Sequence, residues 1–228
     1  MSTLNNTLSQ RIFEKLKDHI LTGVYRPGNR LLYTQLAEEF NVSMTPIREA
    51  LLKLEQEGIV QTIPRKGVYI IELTDQDVIE YTKIRYSMEG LAIDSICENE
   101  TPREEIKRLE AINAELIKAI KTRQPVLCMT KDMDFHHIIV EISGNKRLYE
   151  LVKQLPLTNF YANRGNENRM IEYGADIIKQ HAGIINSLYN YDAESAKHWL
   201  MENILKPQLN IVKKEHPGKN RNLQITTK

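Results

Sequence analysis

Apolar residues recur at Leu8, Ile12, Leu16 and Ile20, the period of one helix face, and predict a helix over residues 8–23. Arg26-Pro27-Gly28 ends it, because Pro and Gly interrupt regular structure. Leu36 and Phe40 mark the inner face of a second helix, residues 33–40. Ile47, Leu51 and Leu54, with Ala50 beside them, mark a third, residues 45–57. Asn41-Val42-Ser43 is the short turn between these two, and Gly58 stands where a helix C-terminus favours glycine. Two β-prone runs follow, residues 59–63 and 68–71. Pro64-Arg65-Lys66-Gly67 joins them into a hairpin with a basic tip. Three helices and a hairpin in this order make a winged helix-turn-helix.

From Thr74 onward the pattern is helical throughout. Thr74 and Asp77 have capping-box spacing and open a helix that runs to Glu98. Thr101 reads as a cap with Pro102 at the first helical position and Glu104 at box spacing, for a helix reaching Thr122. Pro125 opens the next, which ends at Ser143-Gly144-Asn145. Further helices are expected over residues 146–162, 168–189 and 192–214, with kinks at Pro156 and Pro207. The predicted fold is therefore mainly α: a winged helix-turn-helix, then an all-helical bundle. The expected boundaries are 1–72 for the first domain, 73–215 for the second and 216–228 for a disordered polar tail.

Composition changes this picture little. A chain of 228 residues suits two modest domains. A net charge of +1 neither marks nor excludes a nucleic-acid binder, since one face can be locally basic. The absence of any apolar run of membrane-spanning length argues against a membrane partner, and a start without a basic-then-apolar leader points to the cytoplasm. Cys97 and Cys128 lack metal-type spacing and read as reduced core residues.

The segment Leu36-Ala37, Val42-Ser43, Thr45-Pro46-Ile47-Arg48-Glu49-Ala50-Leu51, Leu54 and Glu57-Gly58, continued by Arg65-Lys66-Gly67, closely resembles the GntR family. The resemblance implies double-stranded DNA as partner, with the third helix in the major groove. Ser43, Thr45 and the free N–H groups of that helix start suit phosphate oxygens. Arg48, one turn on, can bond a guanine edge or a phosphate with both arms of its guanidinium. Arg65, Lys66 and Gly67 form a wing that meets backbone or minor groove. Pro46 completes the helix start. Met44 and Thr34 stand where the family or some of its members have arginine, which implies an altered operator preference.

Residues 75–212 resemble the FCD domain of the FadR subfamily, through Arg85 and Glu89, Asp132 with Phe135-His136, Ser143-Gly144-Asn145, His181 and Asp192-Ala193-Glu194 with Ala196. The resemblance implies a divalent metal held by Asp132, His136 and His181, with Asn203 as a weak fourth position where the family has histidine. This donor set suits Zn, Mn or Ni. Asp132 and His136 are i,i+4 and share a helix face. His198 precedes Asn203 by five residues and is rotated roughly 140° from it at 3.6 residues per turn. The alternative is that His136 and His181 are hydrogen-bonded core residues without metal. Arg85 reads either as an anchor for a carboxylate effector or as a salt-bridge partner of Glu89. Asn145 reads either as a pocket residue or as a helix stop.

These readings converge on a regulator, repressor or activator, that binds a palindromic operator as a homodimer and answers to a small organic acid. An architectural DNA-binding protein with a merely dimerising bundle is the alternative. A metal-dependent enzyme would leave the winged segment unexplained.

Overall fold

The computed structural model describes residues 7–153, 155 and 169–207, apart from the side chain of Arg169. The chain divides into two compact units, one running to Leu73 and one starting at Thr74.

The first unit contains α1 (Leu8–Leu21), β1 (Arg30–Leu31), α2 (Tyr33–Glu39), α3 (Met44–Gln56), β2 (Val60–Ile63) and β3 (Gly67–Ile70). Thr7 caps α1 by accepting a hydrogen bond from the Gln10 N–H. Ile12, Leu16 and Ile20 are buried as their period predicts, together with Phe13 and Leu21. Leu8 departs from that expectation: it opens the helix, beyond the reach of the core, and is 45% exposed. The buried stripe packs on α3, whose Ile47, Ala50, Leu51 and Leu54 are all buried.

Two left-handed residues shape the turns around α3. Asn41 (φ 52°) closes α2, with the Asn41 N–H bonded to the Glu38 carbonyl and that of Val42 to Ala37. Gly58 (φ 66°) closes α3 in the same way: its N–H reaches Glu55, that of Ile59 reaches Leu54, and the Ile59 and Leu54 side chains are both fully buried. This is a Schellman motif with its apolar clasp.

The expected hairpin is part of a three-stranded antiparallel sheet in the order β1-β3-β2, with Arg30 opposite Tyr69 and Gln61 opposite Tyr69 on the other side. Strand β1 escaped the sequence reading because two residues are too short to display alternation.

The second unit contains α4 (Asp75–Glu98), α5 (Arg103–Lys121), α6 (Pro125–Ile142), α7 (Lys146–Lys153), α8 (Arg169–Glu172), α9 (Gly174–Tyr189) and α10 (Ala193–Leu200), which continues as a π-helical turn, Met201–Leu205. Its core is built from Ile93 and Ile96 of α4, Ile106 and Leu109 of α5, Phe135 and Ile139 of α6, Ile184 and Leu188 of α9 and Leu200 of α10. Thr74 and Asp77 form the complete capping box.

Three expectations need correction. Helix α5 starts at Arg103, and Thr101 does not cap it. Thr101 is buried, and its carbonyl accepts a hydrogen bond from the Tyr191 hydroxyl at 3.0 Å. The helix predicted over 168–189 breaks at Tyr173 (φ −94°, ψ 10°), and Gly174 then lies so close to Ile120 that a Cβ there would sit 2.7 Å from its Cγ2. The last helix changes from α to π spacing at Met201, which no apolar period announces. The expected helix beyond Lys153, the kink at Pro156, the helix beyond Pro207 and the tail over 216–228 lie outside the described residues. Among the described residues no helix is long and apolar enough to cross a membrane.

Candidate functional sites

The exposed end of α3 is chemically open. Ser43 occupies its N-cap position in an extended conformation (φ −70°, ψ 167°), but its side chain makes no capping hydrogen bond. A helix start leaves unpaired backbone N–H groups, so both they and the Ser43 hydroxyl can meet an anion. Met44 and Thr45 are exposed beside Ser43. Pro46 lies in the first turn, where its missing N–H has no intrahelical partner to lose. Arg48 is exposed one turn further, its guanidinium carbon 5.9 Å from the centre of the Tyr33 ring of α2, a cation–π contact that restrains the long side chain. Thr34 is exposed next to Tyr33.

The wing turn is hydrogen-bonded from the Lys66 N–H to the Ile63 carbonyl at 3.0 Å, with Pro64 second and Arg65 third in the turn. Arg65 has φ 63°, a conformation that favours glycine or asparagine and costs other residues roughly 1–2 kcal/mol. Gly67 has φ 111°, and a Cβ there would stand 3.1 Å from the Arg30 Nε. Arg65 and Lys66 are both exposed. The wing is braced to α3: Glu55 accepts from the Thr62 N–H at 2.6 Å and from its hydroxyl at 3.0 Å.

In the second unit, α6 presents Asp132 and His136 on one inward face and α9 presents His181. One ligand atom from each lies within 4.8 Å of the others, and all three residues are buried. His136 Nδ1 is 2.5 Å from Glu89 Oε2, and His181 Nδ1 is 3.2 Å from Asn113 Oδ1. His181 Nε2 is 3.4 Å from Asp132 Oδ1. Among the described residues neither Nε2 has a hydrogen-bond partner, although both are buried. Buried polar atoms are normally satisfied, so two orphaned imidazole nitrogens beside a carboxylate call for a cation. Each ring is also held through its other nitrogen, as metal-binding histidines are. The residues present therefore fit a divalent metal.

The electrostatics agree. Burial pushes the Asp132 carboxyl up, but His181 beside it and the positive groups around it hold it down at about 2. Burial likewise opposes ionisation of Glu89, and His136 and Arg85 reverse the effect, keeping it below the usual carboxylate range. Burial lowers His181, with Asp132 opposing, so its imidazole favours the neutral, ligating form.

Arg85 donates from Nε to Glu89 Oε1 at 2.6 Å, a buried ion pair. Sequence reasoning paired these two residues but missed that Glu89 also reaches His136. The signal was present: Arg85 and Glu89 share the inward stripe of α4 with Val78, Ala92 and Ile96. Asn113 and Gln180 were missed altogether. Asn203, within the π turn, donates from Nδ2 to Gln180 Oε1 at 3.0 Å, and Oδ1 is the atom it has for ligation. His198 is 58% exposed and stands apart from the cluster. Asn145 Oδ1 accepts from the Leu148 N–H at 3.0 Å and so caps α7, the helix-boundary role.

Residues 8–70 match the bacterial regulatory proteins of the gntR family, and residues 80–205 match the FCD domain. The chain is similar to the HTH-type transcriptional regulator YdhC of Bacillus subtilis (strain 168), 32% identical over 84% of this chain and 85% of that one. It is also similar to the HTH-type transcriptional regulator McbR of Escherichia coli (strain K12), 26% identical over 86% and 89% of the two chains. Among solved structures, E. coli McbR/YncC has the same fold, with a TM-score of 0.71 at 22% identity over 92% of this chain and 99% of that chain. With its DNA-binding winged helix-turn-helix and its FCD effector domain, the chain belongs to the GntR family of bacterial transcription regulators and is not an enzyme.

Proposed function

We propose that this regulator acts in the cytoplasm as a homodimer on a palindromic operator, and that a divalent metal and an anionic organic effector in its second unit control DNA binding. The reading helix is α3. Ser43, Thr45 and the helix N-terminus take phosphate, and Arg48 reads a base edge. Met44, Pro46 and Thr34 shape the fit to the groove, while Arg65, Lys66 and the tight turn at Gly67 bring the wing to the backbone.

The observation that carries the sensing half is the pair of buried Nε2 atoms of His136 and His181 beside Asp132, which have no hydrogen-bond partner among the described residues. Zn, Mn or Ni suits imidazole with carboxylate, and when bound such an ion supplies a positive point on which a carboxylate can settle. With three strong protein ligands and only an amide at Asn203, a coordination position stays open for that carboxylate. Arg85 is fixed through Nε by Glu89, and among the described residues its terminal nitrogens remain for the same anion.

The deciding experiment is metal analysis of protein purified without an affinity tag, followed by thermal unfolding with Zn, Mn or Ni added to chelator-treated protein. At 100 times the dissociation constant, binding adds about 2.7 kcal/mol of stability. The expected result is one ion per chain and a higher Tm. No stoichiometric ion, together with no thermal response to any of the three, removes the metal from the reading. A screen of small organic acids against loss of a gel-shifted operator then tests the effector. A protein that only dimerises through its bundle would respond to none of them.

A further inference from the structure

We propose that Glu89 is a positioning residue that locks His136 as the Nδ1–H tautomer, so that its Nε2 lone pair is kept for a cation shared with Asp132 and His181. This rests on the metal reading above and adds to it a residue about four turns into α4 that is not itself a ligand. A carboxylate can only accept hydrogen bonds, so the 2.5 Å contact from His136 Nδ1 to Glu89 Oε2 requires the hydrogen on Nδ1. A neutral imidazole with hydrogen on Nδ1 has none on Nε2. That second nitrogen is the buried atom without a partner.

The rest of the arrangement maintains the lock. Glu89 is 0% exposed, and a buried lone carboxylate would neutralise itself. Arg85 prevents this, its Nε holding Oε1 at 2.6 Å while Oε2 faces the imidazole. The two oxygens are thus committed to different partners, which fixes the carboxylate plane and, through it, the direction of the ring. Phe135 stacks against His181 at 3.7 Å between ring centres and meets His136 edge-on, so neither ring can turn freely.

Glu89→Gln keeps the shape and breaks the logic. An amide can donate to Nδ1 as well as accept from it, so the hydrogen is free to move to Nε2 and stand where the cation binds. Zinc affinity, read by competition with a chromogenic chelator, should fall 10–100-fold, the usual effect of losing a ligand's supporting partner. The second readout needs no metal. In long-range 1H–15N correlation spectra of metal-free protein with labelled histidine, His136 of the wild type should show a protonated Nδ1 and a bare Nε2, and Glu89→Gln should show the hydrogen shared or reversed.

A wild-type spectrum with the hydrogen on Nε2 overturns the proposal outright, even if the variant fails to fold. So does a folded Glu89→Gln with unchanged spectrum and unchanged zinc affinity. Wild type that binds no zinc yet shows the bare Nε2 instead takes down the metal reading and leaves the tautomer assignment standing.

Discussion

Arg48 and Lys66 lie on different parts of the first unit and should fail in different ways when removed. Arg48 rises from a rigid helix and is steadied by Tyr33, so it can be held in register with a base pair. Arg48→Ala should cost roughly 1–3 kcal/mol of discrimination, seen in gel-shift titrations as a loss of about 10–100-fold for operator against little change for unrelated DNA. Equal operator affinity of variant and wild type would refute the assignment. Lys66 sits on an exposed turn and offers only a charge. Lys66→Ala should weaken binding to all sequences alike and reduce the slope of log affinity against log salt by about 1. Both candidates, and their exposure, could be read from the sequence because they belong to a local motif. Glu89 was half legible: its spacing from Arg85 spoke for a salt bridge, whereas its contact with His136 crosses from α4 to α6 and leaves no trace in local pattern.

Periodicity carries furthest at the level of helices and turns. The apolar stripes of α1 and α3, the box at Thr74 and the glycine at the end of α3 were all readable, since each depends on neighbours within one or two turns. Strand β1, the break at Tyr173 and the π turn were not. The first two arise from a partner strand and from the approach of Ile120 to Gly174, both distant in sequence, and the π turn is tied to Gln180 of another helix. The turn before α3 contains a residue that can be improved. Asn41 tolerates its left-handed conformation better than most residues, but glycine bears no strain there. Asn41→Gly should leave DNA binding intact and raise stability by a few tenths to about 1 kcal/mol, read as a higher midpoint in urea with unchanged slope. A lower midpoint would show that the side chain matters more than the backbone.

For the molecule as a whole, acid should act mainly on the second unit. Burial, reinforced by the charge of Arg85, lowers His137 to about 4, and burial also lowers His181. In the unfolded chain these groups take protons near pH 6.5. Between that pH and about 4 the unfolded state therefore binds more protons than the folded one, so stability falls as pH falls. Chelator-treated protein should lose Tm steadily across this window at constant ionic strength, and a flat Tm from pH 6.5 to 4.5 would contradict it. The buried Asp132–His136–His181 cluster was only partly visible from sequence. Asp132 and His136 announce each other by spacing, but His181 comes from a helix far along the chain, and only family resemblance joined it to them. The π turn over Met201–Leu205 has a wider effect. Its i→i+5 register leaves the Glu202 carbonyl looking to position 207, which is proline and has no N–H, and the Gln180 amide takes that place at 3.2 Å. Gln180 adjoins His181, so one surplus residue in the last helix acts as a phase shift, turning Lys206 and Pro207 by roughly 100° about the axis and clamping the shifted end to the neighbour of a buried cluster residue. Excising any one residue of that turn would rewind the helix and release the clamp.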